Sequence, residues 1–277
     1  KQLPKSEEFL SKKGIDFIAL DILKDPTAQA RLGKLGARTV PVLAQGDQYI
    51  FCQNLEDVAE FVGLQGSGHT PLPPTALMTK WITVLRAAQR YIRQLPSDRL
   101  AERAIDNRDR SIRLLSHHIF RIGEAFLETA IDGVEYRTNN ANIPPADGTC
   151  TAAEEITIYG NGIVERLENW WSQLEDKFCQ QPVKTFYGTP PMHQLFERST
   201  WHSAQHTRQM MAVLERFGIE PQGRLTAEDL AGLPLPEGLW NDEETLIFYH
   251  DDHNAAESQA NNKKRFHHEG HVEHEVR

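Results

Sequence analysis

Cysteine is scarce: the 277 residues contain only Cys52, Cys150 and Cys179. An odd number at wide spacing, with no CxxC pair, excludes a disulfide framework and a zinc ribbon. Long apolar runs are missing as well, since no stretch approaches the roughly 18 to 20 consecutive apolar residues that a membrane helix needs. Lys1-Gln2-Leu3-Pro4 has none of the apolar core of a secretory leader. The expected compartment is therefore the cytoplasm, with no membrane partner. Basic residues are outnumbered, 30 Lys and Arg against 39 Asp and Glu for a net charge of -9. Without a concentrated basic footprint, nucleic acid is not an expected partner, and small molecules or proteins are.

What is present suffices for two domains, because 277 residues with 39% hydrophobic content can fill two ordinary cores. Phe9 and Leu10 lie in a helix that Lys12-Lys13-Gly14 terminates. Asp16-Phe17-Ile18-Ala19-Leu20 has strand character, and Asp25-Pro26 opens a second helix. Thr39-Val40-Pro41-Val42-Leu43 and Gln48-Tyr49-Ile50-Phe51 form a hairpin through Gly46-Asp47, and Asn54 caps a helix from Leu55 to Val62.

That order resembles the glutaredoxin branch of the thioredoxin-like fold after its first strand, over residues 1–64. Thr39-Val40-Pro41 is similar to the family's cis-proline motif, which implies Val40 and Pro41 as thiol-binding residues. The family's CxxC turn precedes the first helix and has no counterpart here. Two explanations stand: the first strand and active-site turn are missing by truncation, or the domain is a degenerate thiol-binding module.

Residues 65–74, rich in glycine and proline, form a linker. Helical periodicity then marks about 76–94, 107–129, 152–178 and 192–217, an all-α domain over 75–220. Residues 131–150 and 180–191 make two long loops, more often functional lids than idle connections. The extension from 221 to 277 changes character after Trp240; little of that part is expected to be buried, with disorder from about residue 254.

His202 and His206 are four apart on a predicted helix, so their rings share one face and can converge on one ion. The pair alone fits two satisfied polar core residues as well as two ligands. His118 lies on the apolar stripe of the second helix and is the third candidate, with His117 as its alternative. Three imidazoles leave a coordination position open, which suits a catalytic more than a structural metal. Ser203 stands where an HExxH protease needs its glutamate, so that chemistry is excluded.

Leu114-Leu115-Ser116-His117-His118-Ile119-Phe120-Arg121-Ile122 and Thr200-Trp201-His202-Ser203-Ala204-Gln205-His206-Thr207-Arg208-Gln209 resemble the two metal-binding stretches of DinB-like proteins. The resemblance implies a multidomain chain: an incomplete α/β thioredoxin-like domain followed by an all-α DinB-like four-helix bundle. It also implies a His-triad metal site and use of a low-molecular-weight thiol. The resulting expectation is a metal-dependent transferase, isomerase or lyase acting on a small electrophile, with glutathione or a similar thiol as cosubstrate and a homodimer as a possible assembly. The divalent metal would be zinc first, with nickel or iron as alternatives. A non-catalytic, metal-stabilised module that binds thiols or proteins is the competing expectation.

Trp201, Tyr187 and Gln209 are pocket candidates, Trp170 and Trp171 core or pocket walls, and Glu124 and Glu128 more commonly solvent-facing helix charge than partners that orient a ligand. The cysteines are expected to be structural. No protein nucleophile or general base can be assigned. His250, His253, His267, His268, His271 and His274 are expected to bind metal only adventitiously.

Overall fold

Local signals set the elements of the N-terminal region. The computed structural model describes residues 5–105, 109–240 and 246–250. In it, α1 (Lys5–Lys12) precedes β1 (Ile18–Asp21), and Asp25 accepts the Thr27 N–H to start α2 (Pro26–Lys34). The Val40–Pro41 peptide is cis. The hairpin of β2 (Val42–Gln45) and β3 (Gln48–Phe51) follows, and Asn54 caps α3 (Leu55–Phe61).

The sheet holds a strand outside this run. β4 (Leu246–Tyr249) lies between β1 and β2, giving the order β1-β4-β2-β3, antiparallel to β1 and parallel to β2. Its alternation explains the placement. Leu246 and Phe248 join Phe9, Leu10, Leu43, Val58 and Ala59 on the face covered by α1 and α3, while Ile247 and Tyr249 join Leu20, Ala28, Val42 and Ala44 on the other. The expectation that little after Trp240 is buried is thus corrected. A short continuous apolar run is how a strand covered on both faces reads in sequence. The expected disorder from about residue 254, and the histidines from His253 onward, lie outside the described residues.

Contacts divide the chain into two units, Lys1–Gly68 with Pro236–Arg277, and His69–Leu235. Glu56 in the first accepts from both N and Oγ of Ser67. His69 in the second faces Glu197 at 2.9 Å.

The second unit is helical. Four long helices, α4 (Pro74–Gln94), α5 (Ile112–Asp132), α7 (Ala153–Gln173) and α8 (Met192–Arg216), pack so that α4 and α5 each contact both α7 and α8. Short α6 (Thr138–Ala141) and α9 (Ala227–Leu230) complete it among the described residues. Ser111 caps α5 by accepting the Leu114 N–H, so that helix begins at Ile112 rather than near 107, and α7 ends at Gln173, short of 178. Gly160 permits the α5–α7 approach, since a Cβ there would lie 2.7 Å from the Phe120 ring. Trp81, Phe126, Trp170 and Phe196 fill the interior with edge and tilted ring contacts. Trp81 Nε1 donates to Ser203 Oγ (3.0 Å), which donates to the Ile119 carbonyl (3.2 Å), tying α4, α8 and α5 together.

Candidate metal centre

Helix spacing puts His202 above His206 on α8, and the α5–α8 contact brings His118 to them. The candidate ligand atoms of His118, His202 and His206 lie within 4.8 Å of one another. Ring centroids are 5.3 Å apart for His118 and His202, 4.9 Å for His118 and His206, and 4.8 Å for His202 and His206. Three nitrogens at 2.0–2.1 Å from one tetrahedral ion would be about 3.4 Å apart, so modest ring movement closes the set. His118 and His206 are only 5% and 4% exposed, and His202 is half-buried.

Hydrogen bonds orient two of the rings. His118 Nδ1 is 2.8 Å from the Ala141 carbonyl, which can only accept, so Nδ1 carries the proton and Nε2 keeps its lone pair. His206 Nδ1 does the same toward Gln209 Oε1 at 2.7 Å, with the amide oxygen assigned from this contact. Such outer partners fix tautomer and ring direction in metal sites. Among the described residues, His118 Nε2 and His202 Nδ1 are buried without a hydrogen-bond partner. Orphaned imidazole nitrogens facing one another inside a helical core fit a cation better than they fit packing.

Burial pushes the His118 and His202 imidazoles well below their ordinary value. The His206 ring adds to this in both; Arg198 and Arg110 add to it at His202, and Arg110 at His118. Both rings are therefore neutral near pH 7, the form that binds metal.

His117 points elsewhere. It stacks on Tyr159 with centroids 4.8 Å apart, and burial lowers it to about 4. The four-helix interior thus receives His118 from the adjacent pair. Glu124 and Glu128 are engaged with one another's partner instead of the triad: both bind buried Arg121, Glu128 through two hydrogen bonds, and Glu124 also takes Tyr159 OH and Arg166. Gln209 is an orienting acceptor, 5% exposed, more than a pocket wall. Trp201 is half-buried with its ring 5.7 Å from that of His202, and Tyr187 packs edge-on against Phe186.

The two long loops are fastened together. Tyr136 N–H donates to the Lys184 carbonyl, and Phe186 N–H to the Tyr136 carbonyl, both at 2.9 Å. Arg113 holds the carbonyls of Thr149 and Cys150, Arg198 donates to Tyr136 OH, and Arg110 to Asn142 Oδ1. Sequence reasoning missed these arginines, although Arg198 precedes His202 by four residues and so shares its face. A backbone carbonyl such as that of Ala141 leaves no signal in sequence.

Cys52, Cys150 and Cys179 are buried and outside any disulfide, and burial pushes the Cys179 thiol up to about 11. Val40 and Pro41 belong to the sheet unit, where the Pro41 carbonyl accepts the Cys52 N–H at 3.0 Å. A shallow groove between α4 and α7, lined by Met78, Ile82, Arg86, Glu168 and Trp171, contains no triad residue. Among the described residues no helix is long and apolar enough to cross a membrane.

A model of the glutaredoxin family matches residues 4–50. The match begins ahead of α1 and ends inside β3, within the sheet unit. No curated protein matches the chain.

Proposed function

We propose that the helical unit is a DinB-like four-helix bundle in which His118, His202 and His206 hold one divalent metal ion, and that the protein uses a low-molecular-weight thiol against a small electrophile. The observation that carries this reading is the buried triad with two rings already oriented by Ala141 and Gln209. The glutaredoxin-like segment supports thiol chemistry on the same chain.

A bound divalent ion, zinc first, would supply a Lewis acid that takes sulfur and lowers a thiol's pKa toward neutrality. The chain's own residues prepare for this. Ala141 and Gln209 direct the Nδ1 protons of their histidines away from the site, and burial keeps the His118 ring neutral. Ser203 locks the backbone beside His202 to α4 and α5, which holds the ligand pair in place. Burial pushes the Cys179 thiol up to about 11, which disfavours its thiolate at neutral pH.

One observation favours a second reading, a metal-stabilised module without turnover: His118 and His206 are almost wholly buried. The full chain loaded with cobalt and titrated with glutathione separates the two. A sulfur-to-cobalt absorption band, absent in His206→Ala, supports the thiol-using site. An unchanged spectrum would leave a closed structural centre.

A further inference from the structure

Two guanidinium groups stand beside the triad. Arg198 lies one helical turn before His202 on α8, on the same face. It is half-buried, its Nη1 donates to Tyr136 OH at 3.0 Å, and its guanidinium covers the Tyr136 ring at 5.3 Å. Arg110 comes from the segment before α5 and meets the loop that carries Ala141. Its Nη2 donates to Asn142 Oδ1 at 3.4 Å, and Asn142 directly follows Ala141, whose carbonyl takes the His118 proton. Tyr136 is fully buried and so holds Arg198 against a rigid wall.

The ligand set brings no negative charge of its own. Three neutral imidazoles leave a divalent ion with its full double charge, where a carboxylate ligand would have reduced it. Arg198, one turn from His202, and Arg110, held by Asn142 next to Ala141, add positive charge to this neighbourhood. A site of this sign selects anions, and guanidinium is suited to carboxylate by its planar fork of donors. One turn from His202, Arg198 is placed to meet an anionic group on a molecule seated at the triad.

We infer that Arg110 and Arg198 form a carboxylate-recognising subsite beside the His118–His202–His206 triad, so that the molecule seated there is a small metal-binding compound bearing a carboxylate. The inference rests on the triad being a metal site that accepts a thiol.

The test uses the full chain loaded with cobalt and two probes, 3-mercaptopropionate and the neutral 2-mercaptoethanol, with affinities read from the visible spectrum. Loss of that spectrum in His206→Ala locates the cobalt at the triad. The parent should prefer 3-mercaptopropionate by about tenfold or more, the scale of one hydrogen bond to a charged group. Arg198→Gln and Arg110→Gln should each reduce the preference, and Arg198→Lys, which keeps the charge but loses the fork, should retain only part of it. Binding of 2-mercaptoethanol should barely change, a split that simple loosening of the loops would not produce. Equal binding of the two probes by the parent, or an undiminished preference in both glutamine variants, would overturn the inference while leaving the thiol-binding metal site intact. Failure of both probes to alter a cobalt spectrum that depends on His206 would overturn the site reading and this inference with it.

Discussion

The two units bury different things. In the sheet unit, apolar side chains alternate across β4 and β2 into two cores, and the buried polar residues among those described are few, Ser6, Gln53 and Ser67. The helical unit buries His117, His118, Arg121, Glu197, Ser203, His206 and Gln209 alongside its aromatic core. Most of these polar groups find partners: Arg121 has Glu128, Glu197 has His69, and Ser203 bridges Trp81 and Ile119. The His118 Nε2 and His202 Nδ1 atoms do not. Burial of a polar group costs free energy unless it is satisfied, so unsatisfied nitrogens clustered on two helices mark where the molecule expects something from outside.

Damage to one unit should leave the other standing. Phe248 is fully buried on a strand between β1 and β2. Phe248→Asp should cost more than about 3 kcal/mol and unfold the sheet unit, because it buries an unpaired charge. Far-ultraviolet melting should then keep a cooperative helical transition while the sheet unit's proteolytic resistance is lost.

The reverse experiment addresses α5 and α7. A Cβ at Gly160 meets the Phe120 ring at 2.7 Å, so Gly160→Ala should cost the helical unit about 1–3 kcal/mol by overpacking. Thermal denaturation followed by tryptophan fluorescence would show it. Gln209→Ala removes the acceptor that orients His206 and should weaken metal binding about 10- to 100-fold, with little change in apo-protein stability. Competition against a chelator of known affinity measures it.

Stability should also depend on pH. Burial lowers His117 to about 4, so as pH falls the unfolded chain takes up this proton first. The helical unit should keep this contribution above about pH 6.5, the ordinary imidazole value, and lose it progressively toward pH 4. Burial raises the Asp57 carboxyl in the sheet unit, and its contribution runs the other way, present at low pH and lost as pH rises through the folded value. Melting midpoints from pH 7 to 4.5 for the parent and for His117→Phe would separate the slopes.

Sequence patterning carried much of this. Asp25-Pro26 and Asn54 named the starts of α2 and α3 because caps are local, and the 3.6-residue period found α4 and α8 within two residues of their ends. The apolar stripe separated His118 from His117, which the structure turns toward Tyr159. β4 was missed because its four apolar residues lie among polar ones and only pairing with β1 and β2 gives them a face. Glu124 and Glu128 read first as solvent-facing helix charge, yet buried Arg121 claims both. The roles of Ala141 and Asn142 depend on a loop folding back over α5, which no local pattern encodes.

The most direct test of the account is metal stoichiometry of the full chain against His118→Ala and His202→Ala variants, so that histidines elsewhere contribute equally to all three. One equivalent more in the parent than in either variant, after reconstitution with zinc and removal of excess, is the predicted result. Equal metal content in parent and variants, with the variants folded by circular dichroism, would contradict a metal centre at the triad.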